Sequence, residues 1–360
     1  MIHKICFLLL FALPSFALKF EKVVEGLVLP WGMAFLNENE ILITEKLGEI
    51  KVIDVKTKKV ILVKGKLESK DHGQGGLLDV ALDPDFTKNQ LVFFTYTKEI
   101  DDNYTTALAS AKLIKNSTGD YELKDIKELF VAEPAVDDSI HFGSRLVVLK
   151  DEIFMTVGDR NQRKIVQQLS NHLGKVLRLD KSGKAKSDNP FIGKSGAKPE
   201  VWSSGHRNPQ GLVWREDVKE LWLGEHGPRG GDEINLVKKG ANYGWPMVTF
   251  GREYSGFKIT DETSRPGIES PTHYYVPSIA PCGMIYYSAD KFPELKDSFL
   301  IGSLVLTHLN QVKIVDKKFV FEKRYFENKS LRIRDVEASP AGEVYFITDS
   351  GHLYQLKNSP

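Results

Sequence analysis

Short hydrophobic runs, each closed by a small or polar residue, recur along the whole chain. The repeat occurs six times, at residues 41–44, 92–95, 153–156, 221–224, 299–302 and 345–348. Most copies follow another short apolar segment and a polar turn, and several precede a segment of alternating polarity. Short apolar runs bounded by turn residues are typical of β-strands. The pattern therefore predicts an all-β protein with almost no helix.

A three-strand unit that returns six times favours a six-bladed β-propeller built from four-stranded antiparallel blades. Two β-sandwiches are the alternative, which fits the recurring unit less well. The copies start roughly 45–80 residues apart, against ~40–50 in common propeller repeats, so insertions are expected. Residues 98–126, 181–198 and 250–278 look irregular, and loops of that length are usually functional.

The beginning of the chain has the character of a secretory signal. Lys4 precedes an apolar run at residues 5–13, and Pro14 and the small-residue site 15–17 follow. Such a run is too short for the ~20 residues that span a bilayer. We therefore predict a signal peptide at residues 1–17, cut after Ala17, and a single propeller domain at residues 18–360. The mature protein is expected to be periplasmic or secreted and to have no membrane span; an uncleaved anchor is the alternative.

Composition narrows the possible partners. Hydrophobic residues form 41% and charged residues 27% of the 360 residues, which is typical of a globular protein. Lys and Arg (49) nearly balance Asp and Glu (48), so no nucleic-acid partner is expected. Cys6 falls in the signal, which leaves Cys282 alone in the mature chain and allows no internal disulfide.

Two glycine-rich segments precede strands of the repeat. Residues 72–79 contain Gln74, whose amide both donates and accepts hydrogen bonds. Residues 139–146 contain His141, and an imidazole suits proton abstraction near neutral pH. A tight turn and a structural histidine are the alternative interpretations.

Two later segments concentrate polar groups in turns. Residues 204–212 carry Arg207 and two amides, a donor set suited to carboxylates or sugar hydroxyls. Residues 225–235 and 240–246 combine carboxylates with loop carbonyls, which suit Ca²⁺, although the EF-hand spacing is missing. Capped or solvated turns remain alternatives for both.

The last repeat opens with two arginines. Period-two alternation places Arg332 and Arg334 on one face of a strand and Asp335 on the other. Two cations on one face require an anionic partner, which is either an acidic cofactor or a nearby Asp or Glu. The chain has no H-E-x-x-H, C-x-x-C or G-x-G-x-x-G motif.

Taken in order, these segments resemble the motif series of the soluble PQQ-dependent aldose sugar dehydrogenases, the glucose/sorbosone dehydrogenase family. The resemblance runs from residue 29 to residue 356. It implies a six-bladed propeller with the quinone PQQ over its entrance. It also implies that His141 takes the proton of the sugar C1 hydroxyl, that Arg207 stabilises negative charge on the cofactor, that Gln74 lies on the substrate side and that Asp232 lies near the arginine.

The resemblance further implies a set of cofactor and metal contacts. Ca²⁺ would bridge protein and cofactor, and a second Ca²⁺ would be structural. The implied PQQ contacts are Asn208, Gln210, His226, Ser278, Arg332 and Arg334. The implied Ca²⁺ ligands are the carbonyls of Gly227 and Pro228 at the first site, and the Glu233 side chain and the Tyr243 carbonyl at the second.

Some positions depart from the family pattern. Val305 stands where the family commonly has a basic residue, and Val276 where the glucose-dehydrogenase branch has tryptophan. In that branch a threonine replaces Ser278 and an aspartate replaces Ile140. These differences bear on cofactor affinity and on the choice of sugar.

The expected activity is oxidation of an aldose to its lactone, with electrons passed to an external acceptor such as a quinone, a cytochrome or a dye. Two alternatives belong to other classes. One is a Ca²⁺-dependent propeller hydrolase such as a lactonase. The other is a non-catalytic propeller that binds carbohydrate or protein.

Overall fold

The computed structural model describes residues 18–359, so the predicted signal peptide at residues 1–17 lies outside the described residues. These residues form 24 β-strands and one short helix, α1 (Phe86–Asn89). In the described part of the chain, no helix is both long and apolar enough to cross a bilayer.

The strands form six four-stranded antiparallel sheets. The first strand in the chain is β1 (Leu18–Val24). Blade 1 consists of β2 (Pro30–Phe35), β3 (Glu40–Glu45), β4 (Ile50–Asp54) and β5 (Val60–Leu62). Blade 2 consists of β6 (Leu77–Leu82), β7 (Leu91–Ile100), β8 (Asn103–Lys115) and β9 (Tyr121–Val131). Blade 3 consists of β10 (Gly143–Val148), β11 (Ile153–Val157), β12 (Lys175–Leu179) and β13 (Val201–Ser204).

The remaining blades follow the same order. Blade 4 consists of β14 (Asn208–Arg215), β15 (Glu220–His226), β16 (Asp232–Val237) and β17 (His273–Tyr275). Blade 5 consists of β18 (Pro281–Tyr287), β19 (Ser298–Ser303), β20 (Leu309–Val315) and β21 (Lys318–Tyr325). Blade 6 consists of β22 (Ile333–Ala338), β23 (Val344–Thr348) and β24 (His352–Asn358), and β1 is its fourth strand.

The two ends of the described chain close the ring. Strand β1 pairs antiparallel with β24, and Phe20 stands opposite Leu356. The first strand of each blade packs against the first strand of the next, from β2 through β22 and back to β2. The fold is therefore the predicted six-bladed propeller, and the two-sandwich alternative is wrong.

All six sequence repeats form the second strand of a blade: β3, β7, β11, β15, β19 and β23. These strands are buried because neighbouring blades cover both faces. Leu42 and Phe94 belong to one buried cluster between blades 1 and 2, and Leu300 and Phe346 to another between blades 5 and 6. Continuous apolar runs are expected of strands that are buried on both sides.

The prediction of an irregular segment at residues 98–126 was wrong. That stretch completes β7, contains all of β8 and begins β9. Both faces of β8 are buried and carry hydroxyl residues, which hid its strand pattern. Thr105 donates to the carbonyl of Ala132, and Thr106 to that of Phe142, both at 2.8 Å. Residues 181–198 contain no strand, and residues 250–278 contain only β17, as expected of long loops.

A buried arginine fills the centre of the ring. The Nη1 atom of Arg145 lies 2.9 Å from Asp79 Oδ1 and 3.0 Å from Asp335 Oδ1, and its guanidinium lies over the Trp31 ring. Its Nε donates to the carbonyl of Gln210 at 2.7 Å. Burial and the neighbouring Asp79 raise the pKa of Asp335 to about 7, although Arg145 opposes the shift. Arg145 thus joins the innermost strands of several blades.

Candidate active site

A cavity of about 1140 Å³ opens at one end of the ring. Single small-molecule sites typically occupy ~300–1,000 Å³, so this cavity has room for more than one small ligand. Eight of the site residues proposed from the sequence line it: Gln74, Gln210, His226, Gly227, Pro228, Ser278, Arg332 and Arg334.

His141 adjoins this cavity through Gln74. The Gln74 side chain lines the cavity and accepts the backbone N–H of His141 at 2.9 Å. His141 has a φ of +57°, in the left-handed region that histidine adopts more readily than most residues. Only 6% of the residue is exposed. The loop before β10 therefore holds the imidazole in one position.

A carboxylate that we did not predict orients the imidazole. Asp159 Oδ1 lies 2.7 Å from His141 Nδ1, and Asp159 Oδ2 accepts the indole N–H of Trp245 at 2.7 Å. Burial would raise the pKa of Asp159, but the hydrogen bond to His141 and the charge of Arg207 hold it below its usual value. An ionised Asp159 keeps the proton on Nδ1, which leaves Nε2 of His141 as a proton acceptor.

The imidazole is neutral near neutral pH. Burial lowers the pKa of His141 and Arg207 adds to the effect, while Asp159 opposes it. Burial and the neighbouring Arg207 also lower the pKa of His226, to about 3. Both imidazoles are therefore uncharged near neutral pH, and His141 keeps Nε2 free to accept a proton.

Arg207 lies in a smaller cavity next to the large one. Its backbone N–H donates to Glu225 Oε2 and its Nη1 to the carbonyl of Gly227, both at 2.7 Å. Its Nε is buried and has no partner among residues 18–359. Glu233 and Tyr243 line the same small cavity. The guanidinium thus has donor capacity left for a ligand.

Asp232 does not line the large cavity. Its Oδ1 accepts the backbone N–H of Gly227 at 2.8 Å, and its Oδ2 accepts the Ser278 hydroxyl at 2.6 Å. The backbone N–H groups of Ile279 and Ala280 also donate to Oδ2, each at 2.8 Å. Burial raises the pKa of Asp232, which the hydrogen bonds oppose. Asp232 therefore ties two loops of the mouth together and reaches Arg207 only through Gly227.

Arg332 and Arg334 share one carboxylate. Asp349 Oδ2 lies 3.0 Å from Arg332 Nε, and Asp349 Oδ1 lies 2.9 Å from Arg334 Nε. Arg334 also donates to Gln210 Oε1 at 3.3 Å. The two arginines do lie on one side, as predicted. A single shared carboxylate leaves this wall with an excess of positive charge.

Other proposed positions have different surroundings. Asn208 is buried, and its Oδ1 accepts the backbone N–H of Gly143 at 3.1 Å. Val276 and Val305 line the cavity and are 63% and 55% exposed. The cavity rim is therefore apolar at both departures from the family pattern.

The proposed calcium ligands fall into two groups. Gly227 and Pro228 line the large cavity, and the Gly227 carbonyl keeps a second lone pair besides the one that Arg207 occupies. Asn235 Nδ2 bridges Glu225 and Glu233 at 3.1 Å each, and burial and Glu225 raise the pKa of Glu233 to about 8. Within residues 18–359 no cluster of three or more His, Cys, Asp or Glu side chains is arranged for a metal. A Ca²⁺ ion at either group would therefore need backbone carbonyl oxygens among its ligands.

Three carboxylates that were not proposed as individual site residues share a sequence signal, although Glu225 lies in the segment predicted to suit Ca²⁺. Asp159, Glu225 and Asp349 all come within three residues after the repeat in its second-strand copies at 153–156, 221–224 and 345–348. Because the second strands all run in the same direction around the ring, residues that follow them meet at one face. Aligning the repeats would have placed these acids at the mouth.

Comparison with known proteins agrees with this geometry. The family model for glucose/sorbosone dehydrogenases matches residues 27–355. The chain belongs to the glucose/sorbosone dehydrogenase family. It is 39% identical over 345 residues to the aldose sugar dehydrogenase YliI of Escherichia coli, covering 94% of this chain and 92% of that protein.

Solved structures of the family share the fold. The soluble aldose sugar dehydrogenase of Escherichia coli, in its apo form, superposes with a TM-score of 0.90 and 37% identity over 95% of this chain and 100% of that one. The PQQ-bound aldose sugar dehydrogenase of Streptomyces coelicolor superposes with a TM-score of 0.78 and 22% identity over 96% and 100% of the two chains. The family relationship makes the chain an oxidoreductase of the sugar-dehydrogenase type.

Proposed function

We propose that this member of the family is a PQQ- and Ca²⁺-dependent aldose dehydrogenase that oxidises the C1 hydroxyl of a sugar to the lactone. The observation that carries the proposal is the His141–Asp159 pair, 2.7 Å apart, beside a cavity whose wall has more cations than carboxylates. The pair supplies a proton acceptor, and the wall suits an anionic cofactor.

The cavity fits PQQ in charge. PQQ carries three carboxylates, and within residues 18–359 Arg332 and Arg334 together have Asp349 as their one carboxylate partner. Gln210 lies beside them, and His226 and Ser278 lie elsewhere on the wall. When bound, the quinone supplies a two-electron acceptor for the C1 hydride of an aldose, and an external acceptor later removes the electrons.

His141 takes the proton that the sugar must lose. Its Nε2 is the free ring nitrogen because Nδ1 faces Asp159. A general base of this kind contributes roughly 10²–10⁴-fold to a rate. Gln74 accepts the backbone N–H of His141 and would orient the sugar from the cavity wall. Arg207 would stabilise negative charge that develops nearby.

Two groups of oxygens would hold calcium. At the cavity, the Gly227 and Pro228 carbonyls would bind a Ca²⁺ that polarises the cofactor. At the second site, Glu233 would bind Ca²⁺ with the Tyr243 carbonyl. A cation there would relieve the repulsion between Glu233 and Glu225 that raises the pKa of Glu233.

A Ca²⁺-dependent hydrolase would need several acidic side chains at the mouth. Among the described residues that line the cavity, Asp349 is the only acid, and two arginines engage it. No specific contact favours a purely binding role either. The dehydrogenase is therefore the function that the site supports best.

We also propose that the protein works outside the cytoplasm, in the periplasm or the medium. The basic start and short apolar run at residues 1–17 support this location. Sequencing the N-terminus of the protein purified from its host tests it. A mature chain that begins at Leu18 is expected, and a retained Met1 would contradict it.

Reconstitution tests the activity. The purified protein is treated with EDTA, and reduction of a dye by a panel of aldoses is measured after addition of PQQ, Ca²⁺ or both. We expect dye reduction and lactone formation only with sugar and both additions. The matched control is His141→Asn, which should bind PQQ with its quinone spectrum intact but turn over slowly. A protein that has received both PQQ and Ca²⁺ but reduces no more dye with any aldose than without one would reject the proposal.

A further inference from the structure

Two arginines at the cavity mouth, Arg229 and Arg252, are paired by backbone hydrogen bonds between two loops. The N–H of Arg229 donates to the carbonyl of Arg252 at 3.0 Å, and the N–H of Arg252 donates back to Arg229 at 3.1 Å. Directly opposed residues of an antiparallel pair have Cβ atoms ~4.5–5.5 Å apart on the same face. Both residues line the cavity, and the backbone bridge places them opposite each other at its rim.

Neither guanidinium has a hydrogen-bond or ion-pair partner in residues 18–359. The acids of the same loop are already paired: Glu253 with Arg163, Asp261 with Lys258 and Glu262 with Arg265. Lys258 stands opposite Arg252 in the next backbone bridge, and its charge is already matched by Asp261. Like charges directly opposite each other are destabilising, and an anionic ligand that reached these two exposed arginines would reduce their repulsion.

The backbone around the pair is closely packed. Gly231 has a φ of +74°, and a Cβ atom there would lie 2.5 Å from the N atom of Gly251. A Cβ on Gly251 would lie 2.4 Å from the carbonyl oxygen of Gly230. The two loops therefore meet backbone to backbone, and only glycines permit this contact. The position of the two arginines follows from the fold rather than from a mobile surface loop.

The pair is separate from the arginines proposed to hold the cofactor. Arg229 and Arg252 belong to loops of blade 4, whereas Arg332 and Arg334 open blade 6, and blade 5 stands between them. Tyr254, two residues beyond Arg252, is 72% exposed and also lines the cavity. A sugar ring packs well on such an aromatic face. The wall near the pair thus offers an apolar surface and two free forks of N–H donors.

We propose that Arg229 and Arg252 bind the anionic group of an acidic aldose, a carboxylate or phosphate ester at the end of the sugar remote from C1. Guanidinium forks match the oxygens of both groups bidentately. This proposal rests on the proposed function and deepens it by naming the substrate class. The enzyme would then prefer uronic acids or sugar phosphates to neutral aldoses of the same ring.

The first test is a specificity ratio. The kcat/KM values of the PQQ-loaded enzyme for glucuronate, glucose 6-phosphate and glucose are compared in the wild type, Arg229→Gln, Arg252→Gln and the double variant. We expect the wild type to prefer one acidic sugar at least about tenfold, and each substitution to reduce that preference about tenfold, since charge-assisted bonds are strong. The matched control is Lys258→Gln, which removes a neighbouring cation outside the cavity wall and should keep the preference. Equal preference in the wild type and the double variant overturns the proposal.

Preference for glucuronate alone identifies a carboxylate site, and preference for glucose 6-phosphate alone identifies a phosphate site. The anion bound by the pair could also be PQQ itself, and a PQQ titration of the same variants tests this. If the double variant binds PQQ more weakly but keeps the sugar preference, the pair belongs to the cofactor site and the proposal is wrong.

A second measurement separates this proposal from the proposed function. Glucuronate, glucose 6-phosphate and glucose are titrated calorimetrically into PQQ-free protein at low salt. Tighter binding of an acidic sugar, lost in the double variant, supports the anion site even if no aldose is oxidised. Equal affinity for the three sugars rejects it even if the enzyme proves to be a dehydrogenase.

Discussion

Arginines occupy both the centre of the propeller ring and its mouth, but their surroundings differ. Arg145 at the centre is 4% exposed and lies between the carboxylates of Asp79 and Asp335. At the mouth, Arg332 and Arg334 have one carboxylate between them. Charge at the centre is matched within the fold, whereas charge at the mouth is in excess.

This difference separates stability from binding. A buried cation with its anions in place cannot be removed without leaving them uncompensated. Cations in excess at an open cavity repel one another and are stabilised by an anionic ligand. We therefore expect substitutions at the centre to reduce the free energy of unfolding, and substitutions at the mouth to reduce ligand affinity or turnover.

The largest effect is expected at the mouth, from Asp159→Asn. The amide can hold the imidazole in the wrong tautomer and cannot stabilise its protonated form, so kcat should fall roughly 10²–10⁴-fold. Single-turnover rates of PQQ-loaded protein measure the effect. The free energy of unfolding should change by less than the increase in activation free energy that the fall in kcat represents. A variant with wild-type kcat would remove Asp159 from the mechanism.

At the centre, Arg145→Leu should lower the free energy of unfolding by about 3–5 kcal/mol, because Asp79 and Asp335 lose their cation. Urea denaturation monitored by tryptophan fluorescence measures the loss. The matched control is Arg265→Leu, which breaks an exposed pair with Glu262 and should cost less than about 1 kcal/mol. Equal losses in the two variants would contradict the distinction between centre and mouth.

Arg332→Gln and Arg334→Gln should each weaken PQQ binding by about 1.5–3 kcal/mol, the range of charge-assisted hydrogen bonds. Fluorescence titration of the metal-loaded protein with PQQ gives the dissociation constants. The free energy of unfolding should remain close to that of the wild type, in contrast to Arg145→Leu. Unchanged dissociation constants would place the cofactor elsewhere.

The pH dependence is a smaller effect. Burial and Arg207 lower the pKa of His141, and the base works only when it is neutral. Activity should therefore be retained as pH falls to the ordinary histidine value of about 6.5 and be lost only below it. The acid limb of kcat/KM measures this pKa, and Arg207→Met should move that limb upward because a cation is removed. An acid limb above pH 6.5 in the wild type would contradict the assignment.

The smallest change is expected from Val305→Lys. Val305 is 55% exposed on the cavity wall, where the resemblance leads us to expect a basic residue. Exposed ion pairs contribute about 0.2–1 kcal/mol, so PQQ affinity should rise about fivefold at most. Weaker PQQ binding in this variant would contradict the prediction that a cation at position 305 attracts the cofactor.

Much of the fold was visible in the sequence because the second strand of every blade is buried on both faces. That position forces the continuous apolar runs of β3 and β15, for example. Strand β8 was missed because Thr105 and Thr106 are buried through hydroxyl hydrogen bonds rather than as apolar residues. The pairing of β1 with β24 joins the two ends of the described chain, so no local sequence pattern predicts it.

The site was predicted less completely. Motifs located Gln74 and the arginines on the wall because each stands in an unusual local sequence. The contact of Asp159 with Trp245 joins residues 86 positions apart, and the arginine pair depends on a backbone bridge between two loops. Such contacts arise from the arrangement of blades, which the residue pattern alone does not give.

The most direct test of the central claim is rapid mixing of PQQ-loaded protein with an aldose, observed through the absorbance of the bound quinone. We expect the sugar to reduce the quinone in one turnover, more slowly when C1 carries deuterium and much more slowly in His141→Ala. A quinone spectrum that does not change with any aldose, neutral or acidic, would contradict the account.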